Sequence, residues 1–213
     1  MRRLGYDRYG AQGMDWGSIV SPEVGRFDRE HVIGVHVTEI FSAPSGDATE
    51  LEALSQEEKT HWQSFLWWIE NKGAYNSLQS TVPQTLAHAL ADSPVGQLAW
   101  NYQIYGDAVS YDYILTNVMV YWLTNTAASS ARFYYENAHA QHVPTRATTI
   151  PLGLANFADV HQAIRIFAER DHKKSWKSAS KIGSTISSTA HCTTRSRMVG
   201  IPSGRSLPFA LGI

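Results

Sequence analysis

Asp15 stands between two glycines at a spacing that suits nucleophilic chemistry. The pattern Gly13-x-Asp15-x-Gly17 has the form of a nucleophile elbow, a strained strand-to-helix turn that needs small neighbours because the turn crowds them. The first N–H groups of the following helix would face the site and favour negative charge there. An aspartate at this point attacks an sp³ carbon and forms an alkyl ester, which water then cleaves at the acyl carbon. By itself the pattern also matches a glycine-rich turn that carries a solvated aspartate.

The elements predicted around Asp15 favour the elbow. Residues 6–12 predict a short strand, Ser18 to Glu23 predict a helix, and the apolar, β-rich run at residues 32–37 predicts a buried parallel strand. Strand, tight turn, helix and strand in succession are typical of a βαβ unit in an α/β sheet. The sequence therefore predicts a core fragment over residues 1–42 with Asp15 at its turn.

After residue 42 the pattern changes to helices. Ser55 and Glu58 match a capping box. The apolar residues that follow it at helical spacing are Trp62, Phe65, Leu66 and Ile69. Further helices are predicted from Pro83, from Ser93-Pro94 and over residues 113–125. Residues 43–140 thus predict a helical lid inserted into the α/β core.

The remainder of the chain is predicted to return to the core and then lose its pattern. Residues 141–172 contain a strand-like run at 148–154 and an amphipathic segment at 159–170, which predict one strand and one helix. Residues 173–213 are rich in Ser, Thr, Lys and Arg and have almost no apolar periodicity. That composition predicts a divergent, disordered tail.

Composition excludes several classes of protein. The chain has 213 residues, with 18 Lys and Arg against 19 Asp and Glu, and this balance argues against a nucleic-acid surface. A single cysteine, Cys192, excludes an internal disulfide and favours a reducing compartment. No apolar run is long enough for a membrane span, and no apolar signal segment follows the N-terminus. We therefore expect a cytoplasmic protein.

Several stretches resemble one family, the microsomal-type and bacterial epoxide hydrolases of the α/β-hydrolase superfamily. The elbow motif is RYGAQGMDWGS at residues 8–18, continued by HVIGVH at 31–36. The lid motifs are PQTLAHALADSPVG at 83–96, LTNV at 115–118, YWLT at 121–124 and ASSARFYYEN at 128–137. The similarity is nearly continuous from Gly5 to about His172. It implies a partial α/β-hydrolase fold with an inserted helical lid, or cap, domain.

The resemblance also implies a mechanism and its residues. Asp15 would be the nucleophile that attacks a small apolar epoxide, and Trp16 would line its pocket and supply one backbone N–H of the oxyanion hole. Two lid tyrosines in the family donate hydrogen bonds to the epoxide oxygen, and the matching positions are Tyr75 and Tyr134, with Tyr135 as the alternative second donor. No metal and no organic cofactor are implied. The pairs of histidines at 31 and 36 and at 139 and 142 lack a third ligand.

The sequence departs from the family at the groups that cleave the ester. The family's acid stands in a Phe-Pro-x-acid pattern, whereas this chain has Asp159 one residue early, after Phe157; a carboxylate at a helix N-terminus is the alternative reading. The family's Arg-Gly-Gly-His motif has no counterpart, and His191 in the tail lacks its glycines and aromatics. Only fourteen residues precede Asp15, where the family has several strands. We therefore expect a truncated and impaired enzyme.

Two alternatives remain at this stage. One is a catalytically inactive remnant that binds apolar ligands in its lid or has no activity. The other is a hydrolase similar to the haloalkane dehalogenases, which share an aspartate followed by a tryptophan at the elbow. Those enzymes do not need the tyrosine pair, so the motifs around Tyr75 and Tyr134 argue for the epoxide hydrolases.

Overall fold

The computed structural model describes residues 1–140, 146–157, 162–173, 175–178 and 209–211. The chain divides into two compact units. We call Met1–Phe65 with Thr145–Ile213 the sheet unit, and Leu66–Pro144 the helical unit. The lid predicted from the sequence begins at residue 43, whereas residues 43–65 pack with the sheet unit.

The elements alternate between strands and helices at the two ends of the chain and are all helical in between. In chain order they are β1 (Tyr9–Gly13), α1 (Trp16–Phe27), β2 (Val32–Val37), α2 (Ala48–Glu52), α3 (Gln56–Lys72), α4 (Ala74–Thr81), α5 (Pro83–Asp92), α6 (Pro94–Tyr105), α7 (Tyr111–Thr124), α8 (Ala127–His139), β3 (Leu152–Ala155), α9 (Arg165–Asp171), β4 (Ser175–Ser178) and β5 (Phe209–Leu211). Two short 3₁₀ helices cover Arg2–Leu4 and Gly106–Ala108.

The sheet unit contains a parallel sheet with the strand order β4-β3-β2-β1-β5. Gly13 at the end of β1 is level with Val37 at the end of β2. The residues that follow these two strands therefore meet at the same edge of the sheet, where α/β proteins bind their ligands. Strands β4 and β5 come from the region for which the composition predicts disorder; residues 179–208 of that region lie outside the described residues.

An aliphatic core holds the sheet against its helices. Val35 and Val37 lie two residues apart in β2 and are both buried, as the two-residue period of a strand requires. Helix α1 approaches this face closely, because a Cβ added to Gly25 would lie 3.1 Å from Val35. A second cluster joins Leu54 and Trp62 to the fully buried Phe167 of α9, whose ring meets Trp62 edge-on at 6.1 Å. This contact explains why the first part of α3 belongs to the sheet unit.

The helical unit is built from α4 to α8 and the last part of α3. The predicted starts of α5 and α6 are confirmed: Pro83 and Pro94 occupy their first turns, and the Ser93 hydroxyl accepts the Gly96 N–H at 3.0 Å. Ala131 of α8 is fully buried and Ala87 of α5 nearly so, and their small side chains allow close helix packing. Within the described part of the chain, no helix is long and apolar enough to cross a membrane.

Candidate active site

The predicted strand, turn and helix around Asp15 are present. Asp15 is the N-cap residue of α1, two residues beyond the end of β1, and its backbone angles are φ 50° and ψ −123°. Among the described residues, Asp15 and Asn125 are the only non-glycine residues with a positive φ. Asn125 sits in the left-handed conformation common at helix ends, whereas the conformation of Asp15 carries strain of about 1–3 kcal/mol. A nucleophile elbow places its nucleophile in a strained strand-to-helix turn of this kind.

The two glycines of the elbow have different roles. A Cβ added to Gly13 would lie 2.0 Å from the carbonyl oxygen of Gly17 and 2.6 Å from Oγ of Ser21, so no other residue fits at position 13 without a backbone shift. Apart from its chain neighbours and the backbone of its own helix, no atom of the described residues lies within 4 Å of a Cβ added to Gly17. The expectation that the turn crowds both neighbours therefore holds for Gly13 and not for Gly17.

A buried carboxylate, Glu39, lies directly behind the elbow. Its Oε2 accepts the backbone N–H of Asp15 at 2.9 Å, the Ser18 hydroxyl at 3.0 Å and the Thr38 hydroxyl at 2.6 Å. Glu39 is 8% exposed and follows β2 by two residues. No motif in the sequence indicates this residue. Its position after a strand adjacent to the elbow strand was the available signal, since such ends share one edge of a parallel sheet.

The surroundings of Asp15 disfavour its charged form. Partial desolvation raises the pKa of Asp15 above its ordinary value of 3.8, and the charge of Glu39 raises it further. A hydrogen bond from the backbone N–H of Trp16 acts in the opposite direction. Because Asp15 remains exposed to solvent, water moderates each of these effects.

Trp16 is the first residue of α1 and is partly buried. Its N–H donates to the Asp15 carboxylate, and the helix N-terminus that it belongs to favours negative charge at the same place. This is the N–H that the resemblance assigns to the oxyanion hole.

The two predicted tyrosines lie together in the helical unit. Tyr75 on α4 and Tyr134 on α8 meet edge-on, with ring centroids 6.1 Å apart and an interplanar angle of 80°. Trp68 on α3 also meets Tyr75 edge-on, with ring centroids 6.1 Å apart. Tyr135, the alternative second donor, stacks instead on His139 at 4.1 Å. The geometry thus pairs Tyr75 with Tyr134 rather than with Tyr135.

The remaining predicted residues lie elsewhere in the chain. Asp159, the predicted acid, and His191 lie outside the described residues. Asp15 and Trp16 belong to the sheet unit, and Tyr75 and Tyr134 to the helical unit.

The chain is similar in sequence to proteins that are named epoxide hydrolases. No protein-family model matches the chain. A protein of Stigmatella aurantiaca (strain DW4/3-1) named "Putative epoxide hydrolase" is 36% identical over 185 aligned residues, covering 82% of this chain and 41% of that protein. Epoxide hydrolase 1 of Sus scrofa is 29% identical over 202 residues, covering 78% of this chain and 40% of that protein. The chain therefore spans about two fifths of the length of these curated relatives.

Solved structures match the fold as well. The juvenile hormone epoxide hydrolase of the silkworm Bombyx mori superimposes with a TM-score of 0.72 at 20% identity, covering 87% of this chain and 51% of that one. The Aspergillus niger epoxide hydrolase gives a TM-score of 0.68 at 26% identity, covering 83% of this chain and 47% of that one. Both matches support the same fold for the part of the molecule that this chain represents.

Proposed function

Since this chain belongs to the epoxide hydrolase family of the α/β-hydrolase superfamily, we propose that it opens small apolar epoxides through an ester on Asp15. The observation that carries the proposal is the strained Asp15 elbow at the N-terminus of α1. Strained backbone conformations persist only where the surrounding structure holds them in place, and they cluster at active sites. A solvated aspartate in an ordinary glycine-rich turn would not require a strained backbone conformation.

In the first step a carboxylate oxygen of Asp15 attacks an oxirane carbon. The new C–O bond forms as one ring C–O bond breaks, and the ring oxygen becomes an alkoxide that stays attached to the neighbouring carbon. That alkoxide takes a proton from a tyrosine hydroxyl, for which we propose Tyr75 or Tyr134. Hydrogen-bond donors that already point at the developing charge stabilise the transition state and so lower the barrier to ring opening.

The second step is cleavage of the ester by water at the acyl carbon, which gives the diol and restores the Asp15 carboxylate, and the proton released returns to the tyrosine. The Trp16 N–H, which donates to the Asp15 carboxylate, would stabilise the oxyanion that develops in this step. Water attack also needs a general base. Asp159 and His191, the sequence candidates for this machinery, lie outside the described residues.

The tyrosine pair favours an epoxide over an alkyl halide as the substrate. An epoxide oxygen stays attached and must be protonated, so two hydroxyl donors have a function there, whereas a departing halide needs no proton. The edge-on contact of Tyr75 with Tyr134 brings the rings that carry two such hydroxyls into contact. The proposal therefore distinguishes this chain from a dehalogenase by its lid residues.

The test compares two substrates with the same carbon skeleton. Styrene oxide and 2-phenylethyl bromide are incubated with the full chain and with Asp15→Asn, and loss of epoxide and release of bromide are followed. We expect Asp15-dependent consumption of at least one styrene oxide per chain and no bromide release. Bromide release that depends on Asp15 would instead identify a dehalogenase, and no reaction with either substrate would contradict both activities.

A further inference from the structure

We propose that Glu39 is a positioning residue, which holds the Asp15 backbone in the elbow and places a negative charge beside the nucleophile. The inference rests on the proposed function and deepens it. Glu39 is not part of the motifs that carry the family resemblance, and its place in the fold alone identifies it.

The hydrogen bonds of Glu39 connect the segments that form the elbow. Its Oε2 accepts from the Asp15 N–H at the turn, from Ser18 in the first turn of α1 and from Thr38 after β2. The contacts are reciprocal, because the Glu39 N–H lies 3.4 Å from Oγ of Ser18, which itself lies 3.2 Å from the Gly13 carbonyl oxygen. Hydrogen bonds to an ionised acceptor are stronger than those between neutral groups. Such a cluster can hold Asp15 at a φ of 50° that a non-glycine residue rarely adopts.

Glu39 is also the charge that acts on Asp15. Of the titratable groups in the described chain, it is the one whose charge raises the pKa of Asp15. The charged residues Glu23 and Arg26 of α1 lie at the far end of that helix and pair with each other. A more basic carboxylate oxygen shares its electrons more readily with carbon, so the charge of Glu39 strengthens Asp15 as a nucleophile once Asp15 is ionised.

Two substitutions separate the two roles. Glu39→Gln keeps an oxygen that can accept from Asp15 and Ser18, and removes the charge. Glu39→Ala removes both the acceptor and the charge. Glu30→Gln is the matched control, because Glu30 is exposed between α1 and β2 and loses the same charge away from the elbow.

The experiment has two readouts on the full chain. The Asp15 carboxyl is titrated by ¹³C NMR, with Asp15→Asn to assign its signal, and the rate of Asp15 alkylation by styrene oxide is measured against pH by intact mass. In Glu39→Gln we expect a lower pKa of Asp15, an alkylation midpoint shifted to lower pH, and a lower rate at the high-pH plateau. We expect Glu30→Gln to match the wild-type chain and Glu39→Ala to lose alkylation.

The two readouts keep the inference separate from the proposed function. An alkylation profile and an Asp15 titration that are unchanged in Glu39→Gln would overturn the inference and leave the proposed function standing. A lower pKa of Asp15 in Glu39→Gln, with no adduct on either protein, would contradict the proposed function while supporting the electrostatic role of Glu39.

Discussion

At the scale of single residues, opposing effects act on the ionisation of Asp15. Attack on an epoxide requires an ionised carboxylate, yet desolvation and the charge of Glu39 both raise its pKa. The Trp16 N–H offsets part of this effect. A carboxylate in such surroundings is more reactive than one in water, and its ionisation lowers the stability of the fold.

The pH dependence of the stability of Asp15→Asn tests whether the pKa of Asp15 is raised in the folded chain. Because the pKa of Asp15 is raised in the folded chain, the contribution of Asp15 to wild-type stability is greatest below the ordinary value of 3.8 and is lost as pH rises through the raised value. Asparagine does not titrate and tolerates positive φ. We therefore expect the free energy of unfolding of Asp15→Asn, relative to wild type, to increase between about pH 4 and about pH 7 in denaturant titrations. A difference that is independent of pH would contradict the raised pKa.

The tyrosine pair gives a second prediction at this scale. Tyr75→Phe and Tyr134→Phe each remove one hydroxyl from the edge-on pair and should slow Asp15 alkylation by roughly 10²-fold or more. Tyr135→Phe is the matched control, since Tyr135 is the neighbouring residue on α8 and stacks on His139. Rates of adduct formation with styrene oxide measure all three. Losses in Tyr75→Phe and Tyr135→Phe, with Tyr134→Phe unchanged, would show that Tyr135 is the second donor.

At the scale of elements, the elbow depends on one close approach between β1 and α1. Gly13→Ala would place a methyl group 2.0 Å from the Gly17 carbonyl oxygen. We expect this substitution to lower the free energy of unfolding by at least about 1–3 kcal/mol and to abolish alkylation. Apart from its chain neighbours and the backbone of its own helix, Gly17→Ala meets no described atom within 4 Å and replaces a helical glycine, so we expect it to be neutral or stabilising by up to about 1 kcal/mol. Equal damage from both substitutions, measured by thermal unfolding, would contradict this account.

Local signals predicted some elements well and others not at all. Strand β2 has the predicted bounds because its apolar run is continuous, and α5 and α6 begin where Pro83 and Ser93-Pro94 predict. Helices α4 and α8, which carry the two tyrosines, were not predicted as helices. Helix α4 is a run of small and polar residues, AYNSLQST, with little apolar periodicity, and it packs on α8. Tertiary packing, rather than a local pattern, determines such a helix.

The residues of the candidate site also differ in how well the sequence predicted them. Asp15 and Gly13 were predictable because the elbow is a local motif, and the two tyrosines were predictable because the lid resembles the family. Glu39 was not, since it follows the elbow by 24 residues and meets Asp15 only through the register of β1 and β2. Residues brought together by strand order leave no spacing rule in a single sequence.

At the scale of the whole molecule, the chain combines a sheet unit that contains the proposed nucleophile, Asp15, with a helical unit that contains Tyr75 and Tyr134. It spans about two fifths of the length of its curated relatives. In the proposed mechanism, forming the ester needs Asp15 and the two tyrosines, whereas cleaving it needs a general base as well.

The most direct measurement is the mass of the full chain after exposure to styrene oxide and an acid quench, followed by peptide mapping. We predict a mass increase of one styrene oxide molecule, located on the peptide that contains Asp15, and no increase in Asp15→Asn. An unmodified wild-type chain, or the same adduct in Asp15→Asn, would contradict the assignment of Asp15 as the nucleophile.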